Sequence, residues 1–156
     1  EIAYRAIKII VQNLRKAVEQ PNNIGIREKL CRASVLAGLA FSQTRTTACH
    51  SISYPLTMLF DVPHGFAAAI TLDAVGSINR GHFMNDNELF ELFDKDIQKF
   101  IDDVCEGIIS LRLSTFGIKE SDIPRIVDKA FTSGRMDNNP VDLSREDVSN
   151  ILKSVL

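Results

Sequence analysis

An all-α fold, a bundle of about seven helices, is predicted by three features of the sequence. Apolar residues recur at three- and four-residue steps along most of the 156 residues, which is the spacing of one face of a helix. No stretch of strand length alternates apolar and polar residues, as a half-buried strand would. Clusters of Pro, Gly and Asn interrupt the apolar pattern at intervals suited to helices, and such clusters end them.

Ala3, Ile7, Ile10, Val11, Leu14 and Val18 form the apolar stripe of a first helix over 2–18, with Arg5, Lys8, Gln12, Arg15 and Lys16 opposite. Pro21-Asn22-Asn23 ends it, and Gly25 allows the turn. A second helix is predicted from about Arg27 to Thr44. Its apolar face of Ala33, Ala37, Gly38 and Ala40 is small enough to let a neighbouring backbone come close. Thr46 or Thr47 is a suitable N-cap for a third helix, which carries His50 and runs to Phe60. Pro55 falls inside that helix and removes the hydrogen bond to the Ser51 carbonyl, which predicts a kink near His50. Asp61 to Pro63 should reverse the chain. The next segment, 65–79, is apolar nearly all round, the pattern of a buried central helix.

Shorter patterns follow. A helix is predicted over 85–93 and a longer one over 97–113, ending near Gly117. Ser121 or Asp122 caps another, with Pro124 in its first turn where a missing N–H costs little. Asp137-Asn138-Asn139-Pro140 reads as a turn, and Ser144 with Asp147 as a capping box for a last helix ending near Leu156.

The length suits a single domain, residues 1–156, with a proper core. Apolar residues make up 45 % and charged residues 24 %, the balance of an ordinary globular protein. A net charge of −2 with scattered basic residues argues against nucleic-acid binding. No apolar run has the length of a membrane span, and the N-terminus has no signal-peptide pattern. Cys31, Cys49 and Cys105 are odd in number and lack CxxC spacing, which favours a reducing, cytoplasmic setting over a disulfide framework. The chain begins with Glu1 inside an uncapped helical pattern and contains no nucleotide-binding glycine loop. It therefore reads as a fragment whose nucleotide-binding domain lies elsewhere.

Two of the three histidines, His50 and His64, fall in the segment 47–65. Imidazole is the commonest metal ligand and proton shuttle near neutral pH. Their spacing is not that of two ligands one helical turn apart. About ten residues of helix climb roughly 15 Å, so the rings can meet only if Asp61 to Pro63 folds back along the third helix. Spacing alone leaves the other reading open: His50 as a core histidine bonded to a carbonyl, His64 as a turn residue. Cys49 beside His50 is a nucleophile by residue type, but no second sign of acyl chemistry accompanies it. His82 reads as a surface residue.

The run Ala37-Gly38-Leu39-Ala40-Phe41-Ser42, then His50, Tyr54-Pro55-Leu56 and Val62-Pro63-His64-Gly65 resembles the iron-containing (group III) alcohol dehydrogenases. The likeness continues to Asn79 and again at Asn139-Pro140 followed by the Ser144 capping box, and covers nearly the whole chain. It implies the helical C-terminal domain of such an enzyme, on the fold shared with dehydroquinate synthase. A cleft between that domain and an N-terminal nucleotide domain holds a divalent metal, Fe²⁺ or Zn²⁺. The family's last two histidine ligands match His50 and His64; its Asp ligand and first His ligand have no match in this chain. Many relatives carry His-Pro-Leu where this sequence has Tyr54-Pro55-Leu56. Tyr54 shares a helix face with His50 and is the candidate to take over that catalytic role, though a phenol is a poorer proton shuttle at neutral pH.

The resemblance further implies an oxidoreductase acting on a small alcohol or aldehyde with NAD(H) or NADP(H), possible homo-oligomers, and no nucleic-acid or membrane partner. The isolated chain is expected to be inactive. The run His50-Ser-Ile-Ser-Tyr54-Pro-Leu is also similar to phosphonoacetaldehyde reductases of the family. Two rival readings stand beside it. One is a non-enzymatic helical binding or regulatory module, which predicts apolar side chains filling the space between His50 and His64. The other is a dehydroquinate-synthase-like lyase, which needs basic phosphate-binding residues that have no counterpart in the sequence near His50.

Overall fold

The computed structural model describes residues 1–131 and 133–156. In chain order the helices are α1 (Ile2–Glu19), α2 (Ile24–Phe41), α3 (Ala48–Phe60), α4 (His64–Ile70) and α5 (Leu72–Asn79). They continue with α6 (Asp86–Glu91), α7 (Ile97–Cys105), α8 (Ile123–Ala130) and α9 (Arg145–Ser154). Short 3-10 turns stand at Leu113–Phe116, Glu120–Asp122 and Met136–Asn138, and no strand occurs among the described residues. None of these helices is long and apolar enough to cross a membrane. The contacts divide into two compact units, residues 1–45 with 87–106, and residues 46–86 with 107–156.

In the first unit α1 packs on α2 and α7. The buried stripe of α1 is Ala6, Asn13 and Ala17, while Ile2 and Val18 remain exposed. Asn13 is tolerated there because its amide donates to the Ile9 carbonyl at 2.8 Å. α2 starts earlier than its apolar pattern suggests. The Asn23 side chain accepts the Ile26 N–H at 3.2 Å and so caps the helix, which puts Gly25 inside it. α7 ends at Cys105, well short of Leu113. Gly107 follows in the left-handed region, with φ of 75°, and Arg15 of α1 donates to the Asp103 and Glu106 carbonyls at 2.7 and 3.3 Å. A helix closed off in this way does not run on.

The second unit is organised around α3, which packs on α4, α5 and α8. Ala48, Ile52 and Leu56 recur at helical spacing and have no exposed surface. Burial of side chains such as Ile52 and Leu56 contributes roughly 1.5–3 kcal/mol each. Leu113 and Ser114, predicted to end a helix, instead bind the C-terminus: their N–H groups donate to the Val155 and Leu156 carbonyls at 2.9 and 3.3 Å. α8 and α9 pack together, α8 burying Ile123, Ile126 and Val127 and α9 burying Val148, Ile151 and Leu152. The Ser144 capping box forms as predicted, with Asp147 N–H donating to Ser144 Oγ at 3.1 Å and Ser144 N–H to the Asp147 carboxylate at 2.8 Å.

A further expectation is overturned. The segment 65–79 is not a single buried helix but α4 and α5, separated at Thr71. Only Ala67, Ile70, Thr71, Val75 and Asn79 are buried, and Leu72 is 39 % exposed. Much of the segment's apolar character comes from alanines, whose small surface gives little drive to bury a second face. Asn79 at the end of α5 exchanges two hydrogen bonds with Asn139, at 3.0 and 2.8 Å, and this buried pair fixes the Asn139-Pro140 turn.

Candidate functional site

α3 runs continuously through Pro55 and stops at Asp61, whose φ is 54°. Asp is one of the few non-glycine residues that adopts this left-handed conformation at modest cost. The Asp61 N–H returns to the Thr57 carbonyl at 3.1 Å and the Val62 N–H to that of Leu56 at 3.4 Å. Val62 is fully buried. The chain therefore folds back against α3 and starts α4 at His64, with Pro63 immediately before it. This is the fold-back that the spacing of the two histidines requires.

The His50 and His64 ring centroids are 5.5 Å apart with an interplanar angle of 61°, an edge-on arrangement. Tyr54, one turn after His50, has its ring centroid 5.8 Å from that of His64. His64 is exposed, and His50 and Tyr54 are half-buried. Burial first, then the nearby His64 and Arg135, hold the pKa of His50 below the usual imidazole value. His50 is therefore neutral at pH 7, with a free ring-nitrogen lone pair.

Two further residues complete the cluster. The fully buried Ser53 donates its hydroxyl proton to the His50 carbonyl at 2.8 Å. Its oxygen also lies 3.5 Å from Nδ1 of His64, the long limit of a hydrogen bond. A serine hydroxyl has one proton, and that proton is committed to His50, so toward His64 the oxygen can only accept. The arrangement favours the His64 tautomer with its proton on Nδ1 and its lone pair on Nε2. Arg135 lies with its guanidinium carbon 4.1 Å from the centroid of the Tyr54 ring.

Ser53 could have been found in the sequence, because it lies three residues after His50 on the same helix face. Arg135 gave no such signal. It comes from a distant loop, so a basic residue stands beside the cluster that the sequence around His50 does not announce. Cys49 is not set up as a nucleophile: its sulfur is buried although the residue as a whole is half-buried, and this pushes the thiol up to about 11. His82 is exposed, as expected. Among the described residues, no three His, Cys, Asp or Glu side chains gather where a metal ion could be held.

The family model described as Fe-containing alcohol dehydrogenase family, C-terminal, matches residues 1–156. The chain belongs to this family. It is 30 % identical to 1,3-propanediol dehydrogenase of Citrobacter freundii over 97 % of its own length and 43 % of that protein's. With sulfoacetaldehyde reductase of Bilophila wadsworthia it shares 26 % identity over 96 % of this chain and 43 % of the relative. The crystal structure of sulfoacetaldehyde reductase from Bifidobacterium kashiwanohense in complex with NAD⁺ superposes with a TM-score of 0.86 at 28 % identity, covering 99 % of this chain and 42 % of that one. That of a 1,3-propanediol oxidoreductase gives 0.84 at 28 % identity, over 99 % and 44 %. The chain thus spans less than half the length of these relatives, and the family's C-terminal domains share its all-helical fold.

Proposed function

We propose that this chain is the helical part of a metal-dependent, NAD(P)-linked alcohol dehydrogenase or aldehyde reductase, to which His50 and His64 give two ligands for a divalent cation. The edge-on histidine pair is the observation that carries this reading. Two imidazoles sharing one cation at about 2.0–2.1 Å have ring centroids roughly 5 Å apart, in keeping with the 5.5 Å found. The neutral state of His50 and the Nδ1–H tautomer favoured at His64 leave a lone pair on each ring, as a ligand needs. Imidazole suits both Fe²⁺ and Zn²⁺.

When bound, the cation would polarise the substrate oxygen as a Lewis acid while a nicotinamide cofactor accepts or supplies hydride. This chain's residues do the rest of what can be assigned to it. α3 and the Asp61 turn hold the two imidazoles in register, and Ser53 fixes the orientation of His64. Tyr54 offers a phenol one ring away from His64, suited to hydrogen bonding or to passing a proton to the substrate. With two nitrogen donors and no third ligand gathered among the described residues, the remaining ligands and the nucleotide site would come from outside this chain, which alone would be inactive.

The substrate would be a small alcohol or aldehyde. Relatives named for 1,3-propanediol and sulfoacetaldehyde are compatible with this, and the second, with its anionic end, also suits the resemblance to phosphonoacetaldehyde reductases. The polar set of His50, His64, Tyr54 and Arg135 speaks against a non-enzymatic module, for which apolar side chains would fill the same space. The test is the metal content of the full-length protein, wild type against His64→Ala. Loss of most of the metal in the variant is expected; equal content overturns the ligand assignment.

A further inference from the structure

Arg135 differs from the arginines seen in ion pairs. Arg15 is paired with Glu19, and Arg145 with Asp128, both in exposed ion pairs. Arg135 is half-buried, yet no described carboxylate lies within ion-pair distance of it. Asp137, two residues on, is exposed and makes no ion pair with it. Its guanidinium is instead laid on the Tyr54 ring. Stacking of this kind engages the face of the group and leaves its N–H edge free to donate, in a fork that matches planar or multi-oxygen anions.

Position adds to this. Tyr54 bridges the two halves of the cluster, with Arg135 on its ring at 4.1 Å and the His64 ring 5.8 Å away. A half-buried guanidinium beside the histidine pair, with no ion-paired carboxylate among the described residues, gains from a negative group that joins it. With the imidazole pair and the guanidinium both next to the Tyr54 ring, the cluster can read two ends of one short molecule.

We propose that Arg135, stacked on Tyr54, is a subsite for an anionic terminus of the substrate, which would be a short aldehyde or alcohol bearing a sulfonate, phosphonate or carboxylate. This inference rests on the oxidoreductase reading and goes further by assigning the substrate class and the residue that selects it. Tyr54 has a positioning part here, because its ring holds the guanidinium over the site.

The test uses the full-length protein with a matched pair of substrates, sulfoacetaldehyde and uncharged propionaldehyde. Loss of a charge-assisted hydrogen bond predicts that Arg135→Gln lowers kcat/KM for sulfoacetaldehyde by roughly ten- to hundredfold. Propionaldehyde should change little, Arg135→Lys should recover part of the loss, and KM for the nicotinamide cofactor should stay the same. An equal fall for both aldehydes overturns the proposal and makes Arg135 a structural support for Tyr54. A rise confined to the cofactor KM also overturns it, because the anion would then be a cofactor phosphate. Calorimetric binding of 2-hydroxyethanesulfonate provides a readout without turnover. If binding depends on Arg135 but neither aldehyde is reduced, the subsite stands and the oxidoreductase reading falls; if the sulfonate binds wild type and Arg135→Gln equally, the subsite falls.

Discussion

Replacing Ser53 with Ala separates what this side chain does for the fold from what it does for His64. The hydroxyl makes one hydrogen bond within the helix, to the His50 carbonyl at 2.8 Å, and such a bond contributes a net of about 0.5–1.5 kcal/mol. Alanine returns up to about 0.5 kcal/mol through its better helix propensity. The net loss of stability is therefore about 1 kcal/mol or less, a shift in Tm of only a few degrees for a chain of this size. The effect on the metal should be much larger. Partners that fix the tautomer and orientation of a ligating histidine typically account for about 10- to 100-fold in metal affinity. Chelator competition with Zn²⁺ or Co²⁺ on the full-length protein measures this, beside a thermal melt of the metal-free form. Nitrogen-15 NMR of the metal-free protein reads the tautomer directly: His64 should carry its proton on Nδ1 in the wild type and lose that preference in Ser53→Ala. Unchanged metal affinity together with an Nε2–H tautomer in the wild type would refute the reasoning, and Ser53 would then be only a helix-internal hydrogen bond.

The pKa of His50 is held below its ordinary value, so the unfolded chain binds more protons than the folded one between the two values. Stability from this group is complete above about pH 6.5 and is lost as pH falls through the lower folded value; His50→Gln should flatten the acid side of the Tm–pH curve of the metal-free protein, and an unchanged acid slope would exclude the effect. Burial pushes the Cys49 thiol up to about 11, so iodoacetamide at pH 8 should label the exposed Cys31 well before Cys49, as peptide mapping would reveal; faster labelling at Cys49 would reinstate it as a nucleophile. Asn139→Ala leaves the buried Asn79 amide without its partner and should cost about 1–3 kcal/mol in denaturant melts; a double mutant with Asn79→Ala should lose less than the sum of the two single changes. Asp61→Val forces a β-branched residue into the left-handed region, at a cost of roughly 1–2 kcal/mol, and should lower metal affinity as well, because the turn that sets His64 is strained.

The helices were legible wherever one face carries the pattern. α1, α3 and α9 lie within a residue or two of their predicted spans because the apolar spacing runs unbroken through each, and the Ser144 capping box fixes the start of α9. Where boundaries moved, a single local interaction outweighed the pattern. The Asn23 cap drew the start of α2 forward, and Gly107 ended α7 while the apolar spacing still continued. The error at 65–79 was of another kind. Apolar composition there suggests burial, but alanine is apolar without having much surface to hide. Composition reports what a helix can tolerate, and only larger side chains report what it needs.

The site divides in the same way, by how far along the chain its parts lie. His50, Ser53 and Tyr54 are fixed relative to one another by helical spacing alone, and His64 follows once Asp61 accepts a left-handed turn. Each of those steps is local and can be read from neighbouring letters. Arg135 reaches Tyr54 only through tertiary packing: α8 lies on α3, and the turn at Met136–Asn138 lies against α3 as well. That packing depends on side chains such as Ile126, Val127 and Met136, none of which looks functional in sequence. Arg135 can therefore leave no motif, because its position is set by core packing elsewhere in the unit, whereas His50, Ser53, Tyr54 and His64 are placed by local geometry and so leave one.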